Sequence, residues 1–95
     1  MVRKVLVSDF DRFTWLFQDI DTGDTVYYVG HILSDGVNPG YVKFGKVGGD
    51  SHVHTFHTPY LASEYFRKIS DELTTRLIQR GELDLSEVDP IEFEA

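Results

Sequence analysis

The stretch TPYLASEYFRKISDELTTRLIQRG, residues 58–81, decides the fold. Thr58 suits an N-cap, because its hydroxyl can accept from a helix N–H that has no partner within the helix. Pro59 suits the first helical position, where no N–H is needed. Gly81 stands where the chain should leave the helix. Between them Ala62, Phe66, Ile69, Leu73 and Leu77 recur at three- to four-residue spacing and form one apolar stripe. Glu64, Lys68, Asp71, Glu72 and Thr75 take the other faces. A helix with a single apolar stripe must lie on an apolar surface, and the residues before it have to supply that surface.

Those residues read as strands. Arg3–Ser8 is a β-branched run ending in turn chemistry at Ser8-Asp9. Phe13–Asp19 alternates, with Phe13, Trp15 and Phe17 in one phase and Thr14, Leu16 and Gln18 in the other. Asp21-Thr22-Gly23-Asp24 is a hairpin loop, and Thr25–Leu33 returns as a second β-branched and aromatic strand. Asp35 to Gly40 reads as a loop closing in a type II turn at Pro39-Gly40. Tyr41–Val47 and Ser51–His57 pair around Gly48-Gly49-Asp50. The expected fold is α+β: an antiparallel sheet of about five strands packed on one C-terminal amphipathic helix. One domain, residues 1–81, is followed by an acidic tail, residues 82–95. Antiparallel sheets tolerate one wet face, so the stripe covers one side and leaves the other open.

At 95 residues there is room for one core, and the apolar fraction of 41% is too high for a disordered chain. The sequence has no cysteine, which removes disulfides, thiolate metal sites and thiol nucleophiles together. The opening Met-Val-Arg-Lys runs straight into a strand pattern, with no apolar run long enough for a signal peptide or membrane span. The expectation is a cytoplasmic protein. The net charge of −7 is unevenly spread. Residues 82–95 hold six of the 16 acids and no base, so the body carries nine basic against ten acidic side chains.

Three local patterns suggest chemistry. Val5-Leu6-Val7-Ser8-Asp9-Phe10-Asp11 resembles the first motif of the haloacid-dehalogenase phosphatases. That resemblance would make Asp9 the nucleophile and Asp11 the acid. The family continues into a helix, however, and here a β pattern follows at once. Tyr27-Tyr28-Val29-Gly30 resembles half of the GIY-YIG nuclease signature, but residues 47–63 lack the arginine such a nuclease needs. His52, His54 and His57 form H-x-H-x-x-H. Strand alternation puts only His52 and His54 on one face, and no third ligand is identifiable. We read them as surface histidines, and expect neither a metal nor a cofactor.

A longer likeness runs over residues 3–81. Phe13-Thr14-Trp15, Val42-Lys43-Phe44-Gly45-Lys46-Val47-Gly48, and His54-Thr55-Phe56 before the helix together resemble a WGR domain. Such domains consist of an antiparallel sheet and a helix, occur in poly-ADP-ribose polymerases and bacterial regulators, and help to bind nucleic acid. Phe44-Gly45-Lys46 stands in place of the Trp-Gly-Arg signature, and residues 34–40 insert a loop. The resemblance implies a nucleic-acid role for Lys43, Lys46 and Trp15.

The tail alternates acids with Leu83, Leu85, Val88, Ile91 and Phe93. Its ending resembles, in composition, the acidic Phe-bearing tips of bacterial single-strand-binding proteins. No nucleophile–base pair, ligand set or phosphate loop converges. The leading expectation is therefore a non-enzymatic interaction module, a small regulator or inhibitor that binds a protein partner by exposed aromatics or by nucleic-acid mimicry. Candidate contacts are Trp15, Phe17, Tyr28, Tyr41 and Phe44 on the sheet, and Asp89, Ile91, Glu92 and Phe93 in the tail. Nucleic-acid binding is the alternative, and self-association through a sheet face or edge would use the same aromatics.

Overall fold

The computed structural model describes residues 1–9, 11–33 and 39–89, the last six by backbone alone. Five strands form an antiparallel meander: β1 (Val2–Asp9), β2 (Arg12–Asp19), β3 (Thr25–Ile32), β4 (Gly40–Lys46) and β5 (Ser51–Phe56). Helix α1 (Pro59–Gln79) and strand β6 (Leu83–Asp89) follow. The strand order across the sheet is β5-β4-β3-β2-β1-β6.

The helix begins and ends where its sequence dictates. Thr58 is extended and its Oγ1 accepts from Leu61 N–H at 3.2 Å, and Pro59 opens the first turn. Gly81, at φ 72°, takes the left-handed conformation that releases the chain. The β2–β3 hairpin is held by Asp19, whose Oδ1 accepts from the N–H of Asp21 at 2.8 Å and of Thr22 at 3.3 Å.

Register assigns the faces. Lys4 lies opposite Phe17, Phe17 opposite Tyr27, Val29 opposite Phe44, and Phe44 opposite His52. This phase faces the helix, and its buried members Val2, Phe17, Val29 and Val42 meet Ala62, Phe66 and Leu77 of the stripe. Phe17 is fully buried in that core, so the expectation that it contacts a partner does not hold: it lies beneath the helix, on the phase that the stripe covers.

The tail differs from expectation in its first half. Leu83–Asp89 pairs parallel with β1, with an irregular register between Val2 and Lys4. The Val2 N–H donates to the Glu82 carbonyl, and the Glu82 N–H donates to the Leu77 carbonyl at 2.9 Å. Leu83 is 4% exposed and joins the core. Once β2 occupies one edge of β1, the other edge still presents unpaired backbone groups, and the chain leaving the helix is the segment that reaches it. Residues 90–95 lie outside the described residues.

Candidate functional site

A six-stranded sheet is about 24 Å wide at ordinary strand spacing, and a helix with its side chains is only about 10–12 Å across. One helix therefore cannot cover this sheet, and a groove opens on either side of it. Tyr27, Phe44, Lys46, Asp50, His52 and Arg76 are among the residues lining a groove of about 490 Å³ on one side. On the other side a cavity of about 270 Å³ lies between β1–β3 and α1.

The face away from the helix carries Arg12, Thr14, Tyr28, Gly30, Ile32, Tyr41 and Lys43 around a shallow trough of about 270 Å³. The trough exists because Gly30 has no side chain between Thr14 on β2 and Lys43 on β4. Tyr28 lies over Gly45 and its hydroxyl meets Ser51 Oγ at 2.6 Å. At one end Arg12 donates to Asp9 Oδ2 from Nε at 3.2 Å and from Nη2 at 2.9 Å. This pairing places Asp9 at a hairpin that returns directly into antiparallel β2, not at the strand-to-helix turn of the phosphatase motif.

The edge strand β5 has all of Ser51 to Thr55 exposed, with Phe56 half-buried. His52 and His54 point to the helix side. Their rings stack on Phe44 at centroid distances of 5.1 and 5.9 Å, and His54 also meets Tyr65 at 4.9 Å. No three residues among those described are placed to hold a metal ion.

The expected contact residues thus separate. Tyr28 and Tyr41 share the open face with Lys43. Trp15 and Phe44 are half-buried on the helix side, as part of the packing around the core. Lys46 lies on the helix side and Lys43 on the open face, so the trio Lys43, Lys46 and Trp15 does not share one surface. Asp89 ends β6, while Ile91, Glu92 and Phe93 lie outside the described residues.

Sequence reading missed Lys4 and His31, which are 5% and 1% exposed. The signal was their phase: Lys4 alternates with Val2 and Leu6, and His31 with Tyr27 and Val29. Burial among apolar walls pushes the Lys4 ammonium below its ordinary pKa, with Asp71 opposing that shift, and pushes the His31 imidazole down as well.

No described helix is long and apolar enough to cross a membrane. Comparison with family models, curated proteins and solved structures finds no match to this chain.

Proposed function

We propose that the chain is a non-enzymatic interaction module, a small regulator or inhibitor, that binds a protein partner by adding an extended segment of it to the outer edge of β5. The observation that carries this reading is the difference between the two edges of the sheet. β6, at one edge, holds Asp84, Glu87 and Asp89 within seven residues, and such charge discourages strand addition. β5, at the other, reads SHVHTF, with no Lys, Arg, Asp, Glu or Pro and with Val53 56% exposed. Its outer backbone groups are a template for main-chain hydrogen bonds, and its alternating side chains would set specificity. Lys43 and Lys46, one strand behind the edge, favour a segment carrying acidic side chains.

A second reading is single-strand nucleic-acid binding on the open face. It is supported by Tyr28 and Tyr41 lying beside Arg12 and Lys43, a pairing of aromatic and cationic groups suited to base stacking.

The test compares wild-type protein with Val53→Lys and Thr55→Lys in stoichiometric capture from native lysate, alongside anisotropy of a labelled single-stranded oligonucleotide. The first reading expects a protein partner that both lysine variants lose while melting as the wild type does. Capture unaffected by these variants, self-association in sedimentation with no other partner, or micromolar and salt-sensitive oligonucleotide binding would each overturn it.

A further inference from the structure

The 270 Å³ cavity between β1, β2, β3 and α1 combines an apolar body with polar groups that the fold leaves unanswered. Leu6, Phe13, Trp15 and Phe66 supply its walls, and Lys4, His31, Ser63, Arg67, Ser70 and Asp71 its polar groups. Lys4 Nζ lies 4.1 Å from the Trp15 ring centroid and 5.7 Å from that of Phe17. It donates to Thr74 Oγ1 at 2.8 Å, and that hydroxyl in turn donates to the Ser70 carbonyl at 2.7 Å. One ammonium proton is thereby used, on a neutral acceptor. Asp71 attracts Lys4 electrostatically, but no carboxylate among the described residues comes within ion-pair distance of it, although an ammonium so deeply buried ordinarily requires one that close.

His31 presents the second unanswered group. Its ring is held between Phe13 and Phe66, with centroids at 5.7 and 5.5 Å, and its fully buried Nε2 has no hydrogen-bond partner. Buried polar atoms without partners are rare, because each forfeits its hydration for nothing. Ser70, also buried, has its hydroxyl proton committed to the Phe66 carbonyl at 2.7 Å, which leaves its oxygen able to accept.

We propose that this cavity binds a small carboxylate with a flat apolar body, its carboxylate completing the ion pair of Lys4 and its ring lying among Phe13, Trp15 and Phe66. One carboxylate oxygen accepts a hydrogen bond from the Lys4 ammonium, and His31, in the tautomer protonated at Nε2, donates to the bound acid. Arg67, exposed on the helix, adds a second positive charge, and Asp71, which attracts Lys4, contributes the one negative charge. With His31 neutral, the cavity lining carries two cations against one anion, so it selects an anion. The volume lies just below the range of about 300–1,000 Å³ occupied by drug-sized ligands, which limits the occupant to roughly one ring and its acid group. This site is separate from the β5 edge, and either can fail without the other.

Trp15 is the sole tryptophan of the chain, so its fluorescence reports this cavity directly. The experiment titrates full-length protein with benzoate and with neutral benzamide, at constant ionic strength and pH 7. Benzoate should shift the Trp15 emission saturably, with a midpoint near or below about 1 mM, an affinity open to a ligand of about nine non-hydrogen atoms. Benzamide should bind at least about tenfold more weakly. Lys4→Met should abolish the preference for the acid. Arg67→Gln, an exposed change that spares the core, should weaken benzoate several-fold and serves as the deciding variant if Lys4→Met does not fold. Absence of a saturable shift up to about 20 mM benzoate, equal affinity for acid and amide, or an acid preference retained in a folded Lys4→Met protein would overturn the proposal.

Discussion

The Lys4 ammonium stands 4.1 Å over the Trp15 ring and is shielded from water by the helix that crosses above it. Attraction to the ring, one hydrogen bond to Thr74 and the more distant charge of Asp71 answer only part of the lost hydration. A lysine whose pKa is lowered in the folded state binds its proton more weakly there than in the unfolded chain. Its charge therefore costs stability below the folded pKa, and the cost is relieved as pH rises toward the unfolded value of 10.5. Lys4→Met should then stabilise the ligand-free protein at pH 7 by about 1–2 kcal/mol, the usual sign when a buried charge gives way to an apolar side chain of similar length. The gain should shrink as the pH approaches 10.5. Thermal melts of both proteins at pH 7 and pH 10 check this.

His31 gives an acid-side counterpart. Burial lowers its pKa below 6.5, so the unfolded chain takes up a proton first as the pH falls. Stability from this residue is complete above pH 6.5 and declines as the pH falls toward the lower, folded pKa. His31→Phe keeps a ring between Phe13 and Phe66 and removes the unpartnered Nε2. The variant should lose less stability than the wild type between pH 6.5 and pH 5. Denaturant titrations at the two pH values measure the difference.

The two residues also mark where the sequence stopped being legible. Five strands, their turns and the helix could be read from alternation, from Gly23 and Gly48-Gly49, and from Thr58, Pro59 and Gly81 around a 3.6-residue stripe. Those signals are local, and the structure follows them within a residue or so at most ends. The positions of Lys4 and His31 in the inward phase were also visible. A charged or titratable residue in an apolar phase announces itself by its type, as a surface group, and only its phase marks it as buried. β6 was harder, because the Leu83-Asp84-Leu85 alternation is short and breaks at Ser86-Glu87, too little to separate a strand from a solvated acidic end. Its pairing depends on the open edge of β1, which lies about 80 residues away in sequence and becomes adjacent only after the helix has crossed the sheet.

Leu83 tests whether that edge matters. It sits 4% exposed against a core that includes Val2 and Leu77, and the backbone beside it is tied to both through Glu82. Leu83→Ala should cost about 2–4 kcal/mol, as for other large-to-small changes at buried positions. Removal of residues 82–95 should cost at least as much, since it also frees the β1 edge. Chemical denaturation of the three proteins compares them. A truncated chain as stable as the full one would show that β6 contributes nothing to the fold.

Gly45 offers the sharpest link between fold and proposed function. A Cβ placed there would lie 2.5 Å from the Asp50 carbonyl oxygen and 3.3 Å from Ser51 Cα, both backbone atoms that cannot swing aside. It would also meet the Tyr28 hydroxyl at 3.4 Å, on the side where that hydroxyl reaches Ser51. Gly45→Ala must therefore push β5 away from β4 at the start of the edge strand, while β1, β2 and the helix core are untouched. Its cost should be about 1–3 kcal/mol, typical of an inserted methyl without room. Hydrogen exchange should show lost protection confined to Gly45–Phe56, with the amides of β1 and β2 unchanged. If β5 is the strand that a partner extends, the same substitution should weaken that complex at least about tenfold, because the template is displaced before the partner arrives. A partner bound as tightly by Gly45→Ala as by the wild type, with β5 protection demonstrably lost, would place the interface elsewhere on the sheet.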